Sequence, residues 1–393
     1  MKKRILFVMS QFNMGGIEKE LLCLLDSIDR NRYIPELYLT GSDGELESQI
    51  PDYVTVYYPN CDVKGNVLEY LRHGRVWSIL KIIYCYLRLR LSKGCAKDYW
   101  SVKVGAVLPN QYDCAVAYDG LDMAVISMAE EVNAKTRILW EHGPLIGVDE
   151  IYRKYSKKAS KSFDKIVCVS EALKREFAEE YQLPDNRLCV LYNLVNVPAI
   201  LRQADMEISD MLSGKGYSLV TVGRLHHQKG QEMIPQVTRM LLDAGYDIYW
   251  YLVGDGVLRQ EIETQCAKLH VTERVILLGS KNNPYPYIKK CDIYVQTSSW
   301  EGWGLTIQEA RILRKPMVVT PLPVSYEQIV NDVNGLIAND MRPESMFESI
   351  KLLLDHPEMQ ERFVCELEQE KHENLREIHK LYEIIESVES LNC

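Results

Sequence analysis

Four charged residues in the second half of the sequence follow apolar runs and stand among glycines: Arg224, Lys229, Glu301 and Glu309. Two fixed cations at the end of a strand can neutralise a diphosphate. A carboxylate only accepts hydrogen bonds, so it suits the vicinal hydroxyls of a ribose or a hexose. A solvated loop would also explain the two cations, and the dipole of a helix would explain Glu309 in its first turns. Neither explanation covers Glu301, so the set indicates a ligand site.

Glycines stand at the same strand ends and would let the backbone approach a ligand. Gly223 and Gly230 flank the two cations in GRLHHQKG, and Gly254 ends another apolar run in LVGDG. Near the N-terminus, Gly15 and Gly16 follow the first apolar run and open a helical pattern. An ordinary strand–helix turn would explain the N-terminal pair, and LVGDG is not the GxGxxG fingerprint of dinucleotide sites. The glycines therefore support a ligand site without identifying the ligand.

The stretch SWEGWGLTIQE joins a strand to a helix, which is predicted to begin near Leu305 and Thr306. The free N–H groups of a helix N-terminus bind anions, so these two residues could meet a phosphate. In the first half of the chain, His142 follows an apolar run and precedes Gly-Pro. A lone histidine is more often structural, yet this one would join the same site if two sheets oppose each other.

Short apolar runs alternate with longer helical patterns, and most runs are continuous, as in strands covered on both faces. The predicted strands are Arg4–Met9, Ile34–Thr40, Val54–Tyr57, Cys114–Tyr118, Lys135–Trp140, Lys165–Val169, Cys189–Tyr192, Tyr217–Val222, Asp247–Val253, Val275–Leu278, Ile293–Gln296 and Pro316–Val319. The predicted helices include Ile17–Ser27, Glu171–Tyr181, Glu232–Ala244, Val257–Lys268, Thr306–Leu313 and Pro343–Leu354. This alternation predicts an α/β fold with parallel sheets, whose strand carboxyl ends form the ligand-binding edge.

A stretch without strand periodicity at 196–216 predicts a boundary between two domains, as the length of 393 residues also suggests. We assign 1–200 to the first domain, 201–372 to the second, and 373–393 to a charged helix that packs back onto the first. The first half is nearly neutral and the second is acidic, with a formal net charge of −9 overall. Neither half has the charge of a general nucleic-acid binder.

The eleven cysteines form no C-x-x-C pair and no zinc-like spacing with histidine. Several lie in strand-like runs, which is typical of reduced, buried thiols in the cytosol. The N-terminal apolar run, Ile5 to Met9, is shorter than a signal peptide requires. No run reaches the roughly 18 apolar residues of a membrane-spanning helix. We therefore expect a cytoplasmic protein.

Residues 70–103 differ from the rest, because they hold eight Lys or Arg and one acidic residue, with Trp and Tyr interleaved. A basic, aromatic, helical stretch is typical of a segment that binds an anionic membrane surface. An amphipathic helix that covers the first sheet with its arginines in solvent would give the same pattern. Peripheral attachment at the inner face of a membrane through 70–103 is therefore one of two open hypotheses.

Taken together and in this order, the motifs resemble the retaining glycosyltransferases of family 4, which have the GT-B fold. The match is best from Tyr217 to Ala338, and the two glutamates with seven residues between them are that family's signature. The resemblance implies two Rossmann-like, doubly wound parallel-sheet domains that face each other across a cleft. It also implies transfer of a sugar from a nucleotide sugar, UDP- or GDP-linked, to a saccharide acceptor. A lipid-linked acceptor in cell-surface polysaccharide or glycoconjugate synthesis is expected.

The resemblance also assigns residues to the site. The implied catalytic set is Glu301, His142, Arg224 and Lys229. The implied donor-binding set is Gly15, Gly16, Gly223, Gly254, Leu305, Thr306 and Glu309. Arg224 and Lys229 would hold the diphosphate, while Glu309 would bind the ribose. Glu301 would bind the hydroxyls of the donor sugar, whose face His142 would line.

The sequence departs from the family pattern at Trp303-Gly304, where many members have Phe-Gly or Phe-Pro. The bulkier indole is expected to alter the sugar pocket, so the donor sugar stays open. No Asp-x-Asp element stands in a suitable place, and neither a metal nor another cofactor is expected. A non-catalytic sugar-nucleotide-binding relative and a sugar-nucleotide epimerase are the alternatives. The first usually lacks one of the four charged residues, and the second should lack the paired glutamates.

Overall fold

The computed structural model describes residues 2–13, 15–42, 44–58, 108, 111–211, 216–372 and 374–391. The chain divides into two compact units, Met1–Val195 with Asn374–Cys393, and Asn196–Glu373. The basic stretch 70–103 lies outside the described residues, so both hypotheses about it stand. Within the described ranges, no helix combines the length and the apolar character needed to cross a bilayer.

The first unit is built around a parallel sheet. Its strands are β1 (Lys3–Met9), β2 (Tyr33–Leu39), β3 (Thr55–Tyr57), β4 (Tyr112–Ala117), β5 (Ala134–Glu141), β6 (Lys165–Cys168) and β7 (Leu188–Val190). They lie in the order β3-β2-β1-β4-β5-β6-β7. The described helices before the second unit are α1 (Gly16–Ser27), α2 (Met123–Glu131), α3 (Glu150–Ala159) and α4 (Glu171–Tyr181).

The second unit repeats this plan. Its strands are β8 (Tyr217–Val222), β9 (Ile248–Val253), β10 (Val275–Gly279), β11 (Ile293–Gln296), β12 (Met317–Val319) and β13 (Leu336–Ile337). They lie in the order β10-β9-β8-β11-β12-β13. Its helices are α5 (Val197–Ala204), α6 (Ile234–Asp243), α7 (Arg259–Lys268), α8 (Tyr285–Lys290), α9 (Leu305–Ile312), α10 (Ser325–Gln328), α11 (Pro343–Asp355) and α12 (Pro357–Gln369). The predicted boundary at residue 200 falls inside α5, which belongs to the second unit.

The strands form because their apolar runs are covered on both faces, as the sequence predicted. All four residues of β11 are buried, for example. On α6, Ile234, Val237 and Leu241 recur at helical spacing and join Trp250 of β9 in one core cluster. Burying each such side chain stabilises the unit by roughly 1.5–3 kcal/mol, so a charge on this face would break the packing. Among the described residues the cysteines are free thiols, and most of them are buried.

Both sheets reverse their strand order beside their first strand, between β1 and β4 and between β8 and β11. Every pairing between the described strands is parallel, so their carboxyl ends meet at one edge of each sheet. Ligands of open α/β sheets bind outside this edge, at the point of reversal. The prediction of two doubly wound, Rossmann-like parallel-sheet units is confirmed.

The last described helix, α13 (Asn374–Leu391), belongs to the first unit. The ring of Tyr382 stacks on Tyr33 with 4.6 Å between centroids. The Tyr382 hydroxyl accepts a hydrogen bond of 2.7 Å from the backbone N–H of Asp29. The Tyr33 hydroxyl donates one of 2.8 Å to Glu386. Stacking and hydrogen bonding thus attach this helix to the edge of β2.

Candidate functional site

Arg224 lies in the turn that follows β8. The turn is fixed by its backbone, because Gly223 N–H donates to the carbonyl of Val253 over 3.0 Å. Gly254 has a φ of +147°, and a Cβ there would lie 2.0 Å from the Gly223 carbonyl oxygen, so only glycine fits. The Arg224 side chain is exposed, and within the described residues it makes no ion pair or hydrogen bond. A cation in this position can take an anionic ligand.

Lys229 ends a short 3₁₀ turn, His227–Lys229, and is brought to the next strand end by Gly230. Gly230 has a φ of +61°, and a Cβ there would lie 2.1 Å from the carbonyl oxygen of Thr297. The Thr297 hydroxyl donates to the Lys229 carbonyl over 2.7 Å. This close approach places Lys229 Nζ 2.6 Å from Glu301 Oε1. The predicted cation and carboxylate are therefore direct partners in the ligand-free protein.

Glu301 follows β11, and its side chain is only 7% exposed. Three hydrogen-bond donors contact its carboxylate. Besides Lys229, its Oε1 accepts from Gln296 Nε2 over 2.9 Å and from Ser298 Oγ over 2.6 Å. All three bonds fall on Oε1, and among the described residues Oε2 accepts none. Sequence reasoning missed Gln296 and Ser298. The signal for Gln296 was an amide at the end of an otherwise apolar strand.

The helix α9 begins directly after Gly304, whose φ is +83°. Leu305 and Thr306 are its first two residues, so their N–H groups have no partner within the helix. The Thr306 hydroxyl donates to Gln296 Oε1 over 3.2 Å. A helix N-terminus with free N–H groups attracts an anion, and this one lies beside the loop that carries Glu301.

Glu309 lies further along α9 and is 7% exposed. It accepts a hydrogen bond of 3.2 Å from the hydroxyl of Tyr285, the first residue of α8. No pattern in the sequence pointed to Tyr285, because either of the two tyrosines in NNPYPYI looks like a core residue. The two carboxylates thus lie on different elements, a loop and a helix, as the sequence predicted.

Trp303 is 7% exposed and packs into the protein. Its indole N–H donates to Gln308 over 2.8 Å, and its carbonyl accepts from the side-chain amide of Gln328. Because the ring is nearly buried, an effect of Trp303 on a sugar would act through the shape of the loop.

In the first unit, His142 follows β5 and its side chain is 3% exposed. Its ring is parallel to that of Trp140, with 5.9 Å between centroids, and 4.7 Å from that of Tyr118. Neither ring nitrogen has a hydrogen-bond partner among the described residues. Burial lowers the pKa of His142 to about 3, so the imidazole is neutral at neutral pH.

Sequence reasoning missed two buried carboxyl groups, one close to this histidine in space and one next to it in sequence. Glu20 of α1 lies with Oε2 4.0 Å from His142 Nδ1 and accepts a hydrogen bond from the Tyr118 hydroxyl. Burial raises the pKa of Glu20 to about 8, although the backbone of Leu194 lowers it. Glu141, the neighbour of His142, is also fully buried, and burial raises its pKa to about 8.

Two hydroxyls face Glu141: Tyr181 donates over 2.8 Å and Ser156 over 3.4 Å. Asp119 follows β4, and burial together with the charge of Asp122 raises its pKa to about 6. The predicted glycines lie at the end of β1, where Gly15 caps α1 and Gly16 is its first residue. The first unit thus places its predicted residues at its own point of strand reversal and beside it.

Family models match two parts of the chain. The model described as Glycosyl transferases group 1 matches residues 210–369. The model described as Glycosyltransferase Family 4 matches residues 137–197. The first match contains both cations and both glutamates, and the second contains His142.

Curated relatives match about half of the chain. An uncharacterized glycosyltransferase of Methanocaldococcus jannaschii is 29% identical over 53% of this chain and 54% of its own. The N-acetylgalactosamine-N,N'-diacetylbacillosaminyl-diphospho-undecaprenol 4-alpha-N-acetylgalactosaminyltransferase of Campylobacter jejuni is 24% identical over 51% of this chain and 53% of its own. This chain therefore spans about half the length of the curated relatives that it matches.

Among solved structures, Anabaena HepE in complex with UDP and glucose superimposes with a TM-score of 0.74. The two sequences are 18% identical, and the comparison covers 98% of this chain and 100% of HepE. This similarity shows the fold. With the family models, it places the chain among the group 1 glycosyltransferases of the GT-B fold.

Proposed function

We propose that this chain is a retaining glycosyltransferase that moves a sugar from a nucleotide sugar to a saccharide acceptor. One observation carries the proposal. At the strand reversal of the second sheet, Arg224, Lys229 and the N-terminus of α9 lie at the same edge as Glu301. Positive groups and hydroxyl-binding carboxylates at one sheet edge suit a sugar joined to a diphosphate.

The diphosphate is the leaving group, so negative charge develops on it as the anomeric C–O bond breaks. Arg224 and Lys229 supply fixed positive charge for it, and the N–H groups of Leu305 and Thr306 supply the helix dipole. Arg224 and the start of α9 are in place before the reaction and need little reorganisation in the transition state, whereas Lys229 first has to leave Glu301. We assign departure of the nucleoside diphosphate to this set.

The carboxylates orient the donor. Glu301 has one oxygen, Oε2, that no described residue uses, and we assign it to the hydroxyls of the transferred sugar. Glu309, with Tyr285 on one oxygen, is assigned to the ribose hydroxyls. His142 is neutral, so it can accept or donate a hydrogen bond at a sugar hydroxyl without adding charge.

No carboxylate is assigned as a nucleophile. We propose retention by attack of the acceptor on the same face that the diphosphate leaves, through an oxocarbenium-like state. The acceptor hydroxyl then loses its proton to the departing diphosphate, which balances the step without a metal.

We propose a UDP- or GDP-sugar as the donor and a lipid-linked saccharide as the acceptor. HepE was solved with UDP and glucose, and the name of the Campylobacter relative includes a diphospho-undecaprenol saccharide. Sugar transfer at the inner face of a membrane would suit such a lipid-linked acceptor. Residues 70–103 remain the proposed contact with anionic lipid.

The proposal is tested by thermal unfolding with UDP, GDP, ADP and their sugar conjugates. A ligand present at 100 times its Kd stabilises the native state by about 2.7 kcal/mol. We expect one nucleotide to raise Tm, and the shift to shrink in Arg224→Ala but not in Arg362→Ala. Arg362 is an exposed arginine of α12 that pairs with Asp332.

The nucleotide sugar that raises Tm is then incubated with and without EDTA, and NMR reports the anomer released or transferred. We expect turnover in both conditions with the donor's anomeric configuration kept. If no nucleotide changes Tm, the donor site is wrong. A Tm shift without turnover in the presence of lipid-linked saccharides would favour the non-catalytic alternative.

A further inference from the structure

The side-chain amide of Gln296, the last residue of β11, uses all of its hydrogen-bonding capacity inside the protein. The residue is 2% exposed. Its Nε2 donates to Ser298 Oγ over 2.8 Å and to Glu301 Oε1 over 2.9 Å. Its Oε1 accepts from the Tyr294 hydroxyl over 2.7 Å and from the Thr306 hydroxyl over 3.2 Å. The amide therefore joins the carboxylate of the proposed sugar site to the helix start of the proposed phosphate site.

Only one orientation of this amide satisfies its neighbours. A carboxylate accepts and never donates, so the NH₂ group must face Glu301. Turning the amide over would place its oxygen against the carboxylate and leave the buried Tyr294 hydroxyl and the half-buried Thr306 hydroxyl without an acceptor. Each unsatisfied buried group costs about 1–3 kcal/mol, so the observed orientation is fixed.

The same amide affects how easily Lys229 leaves its carboxylate. Lys229 pairs with Glu301 Oε1, yet the proposed reaction needs its charge at the diphosphate. When Lys229 turns toward a phosphate, Oε1 keeps two neutral donors, Gln296 and Ser298. Without Gln296, a nearly buried carboxylate would lose much of its remaining stabilisation, so the ion pair would resist opening.

We propose that Gln296 is a positioning residue of this enzyme. It holds Glu301 by Oε1 so that Oε2 meets the donor sugar, and it allows Lys229 to exchange the carboxylate for the diphosphate. The inference rests on the proposed function. It concerns the transferred sugar more than the nucleotide, because Glu301 is assigned to the sugar.

Two substitutions separate positioning from packing. Gln296→Glu keeps the shape and an acceptor oxygen for Tyr294 and Thr306 but replaces the donor with a second carboxyl group. Gln296→Met fills the same space but removes both the hydrogen-bond donor and the acceptor of the side chain. Tyr294→Phe is the matched control, since it removes one buried hydrogen bond of the same amide and leaves both donors to Glu301 and Ser298 in place.

The probes are UDP-glucose hydrolysis and UDP binding by calorimetry, or the equivalent pair for the nucleotide that the Tm screen identifies. At pH 8 we expect Gln296→Glu to lower kcat about 100-fold, the scale of one lost transition-state donor. UDP lacks the sugar, so its Kd should rise less than kcat falls, by about tenfold or 1.4 kcal/mol at most, which is the part that depends on release of Lys229. Gln296→Met should lower kcat at every pH.

The pH profile is the decisive measurement. Two adjacent carboxyl groups share a proton as the pH falls, and the protonated carboxyl at position 296 can again donate to Glu301. We expect the activity of Gln296→Glu, relative to wild type, to recover at least about tenfold between pH 8 and pH 5.5. Gln296→Met and Tyr294→Phe should show no such recovery.

If wild type turns over the donor and both Gln296 variants match Tyr294→Phe at every pH, the amide only packs and the inference is wrong. It is also wrong if kcat and UDP affinity fall together with Tm and show no pH recovery. If wild type neither binds nor hydrolyses any nucleotide sugar, the proposed function fails first and takes this inference with it.

Discussion

The two units share a sheet topology but treat charge differently at their points of strand reversal. In the second unit, Lys229 and Glu301 form a nearly buried, hydrogen-bonded ion pair. In the first unit, burial dominates around His142, lowering its pKa and raising those of Glu20 and Glu141. The second unit therefore pairs its two charged side chains with each other, whereas burial in the first unit favours the neutral forms of His142, Glu20 and Glu141. A charged diphosphate suits the ion-paired environment of the second unit, and a neutral sugar tolerates the buried environment of the first unit.

The largest expected effect removes a charge from the second unit. Lys229→Ala should raise the barrier to donor turnover by roughly 3 kcal/mol or more, because one fixed positive group at the leaving diphosphate is lost. Donor hydrolysis under saturating conditions measures this. Lys289→Ala, which removes an exposed lysine paired with Asp205, is the control and should keep wild-type kcat. Near-normal turnover of Lys229→Ala would show that the paired charges of the second unit do not serve the diphosphate.

The second prediction concerns the buried carboxyl group of Glu141 in the first unit. The pKa of Glu141 is about 8 in the folded protein against an ordinary 4.5, so the folded state binds this proton more tightly. Its contribution to stability is full below pH 4.5 and is lost as the pH rises through 8. Between these two pH values the free energy of unfolding falls as the pH rises. Glu141→Gln should reduce the slope of this fall by up to about 1.4 kcal/mol per pH unit.

Urea unfolding at several pH values measures this slope. The control is Glu179→Gln, which changes an exposed glutamate on α4 and should leave the slope as in wild type. Glu20 titrates in the same direction, so part of the slope should survive in Glu141→Gln. An unchanged slope in Glu141→Gln would mean that this carboxyl is ionised in the folded protein, and the comparison would fail there.

The smallest expected effect tests the hydrogen bond between Tyr285 and Glu309. Tyr285→Phe removes a donor 3.2 Å from the carboxylate and leaves the ring in place. UDP affinity should fall by about 1 kcal/mol, roughly fivefold, because Glu309 is less well oriented for the ribose. Tyr326→Phe, at an exposed tyrosine of the same unit, should bind UDP as wild type does in calorimetry. Tighter binding by Tyr285→Phe would show that the hydroxyl competes with the ribose.

The sequence was sufficient for most of the fold. The predicted strands all form within two or three residues of their expected bounds, because each is a continuous apolar run. The prediction lacked β13, which has only two residues, and it took the region of α5 for a linker. Short elements carry too few residues to show a period, and they form because neighbouring elements cover them.

The site was predictable where charge and spacing are distinctive, as for Lys229 and Glu301. The amide of Gln296 at the end of an apolar strand was a signal, but its role was not predictable, because that role depends on which atoms face the amide in the folded protein. Glu20 was missed for a related reason. A glutamate in an amphipathic helix is normally solvated, and only tertiary packing shows that this one is buried against Tyr118.

The position of α13 in the chain has a consequence for biosynthesis. This helix belongs to the first unit, yet the ribosome makes it after the whole of the second unit. Leu381 and Ile385 of this helix are fully buried in the folded protein. Neither has been synthesised at the time when the second unit is being translated. Their docking surface on the first unit then lacks its cover. Since domains generally fold as they emerge, a nascent first unit should depend on chaperones until translation passes Leu391.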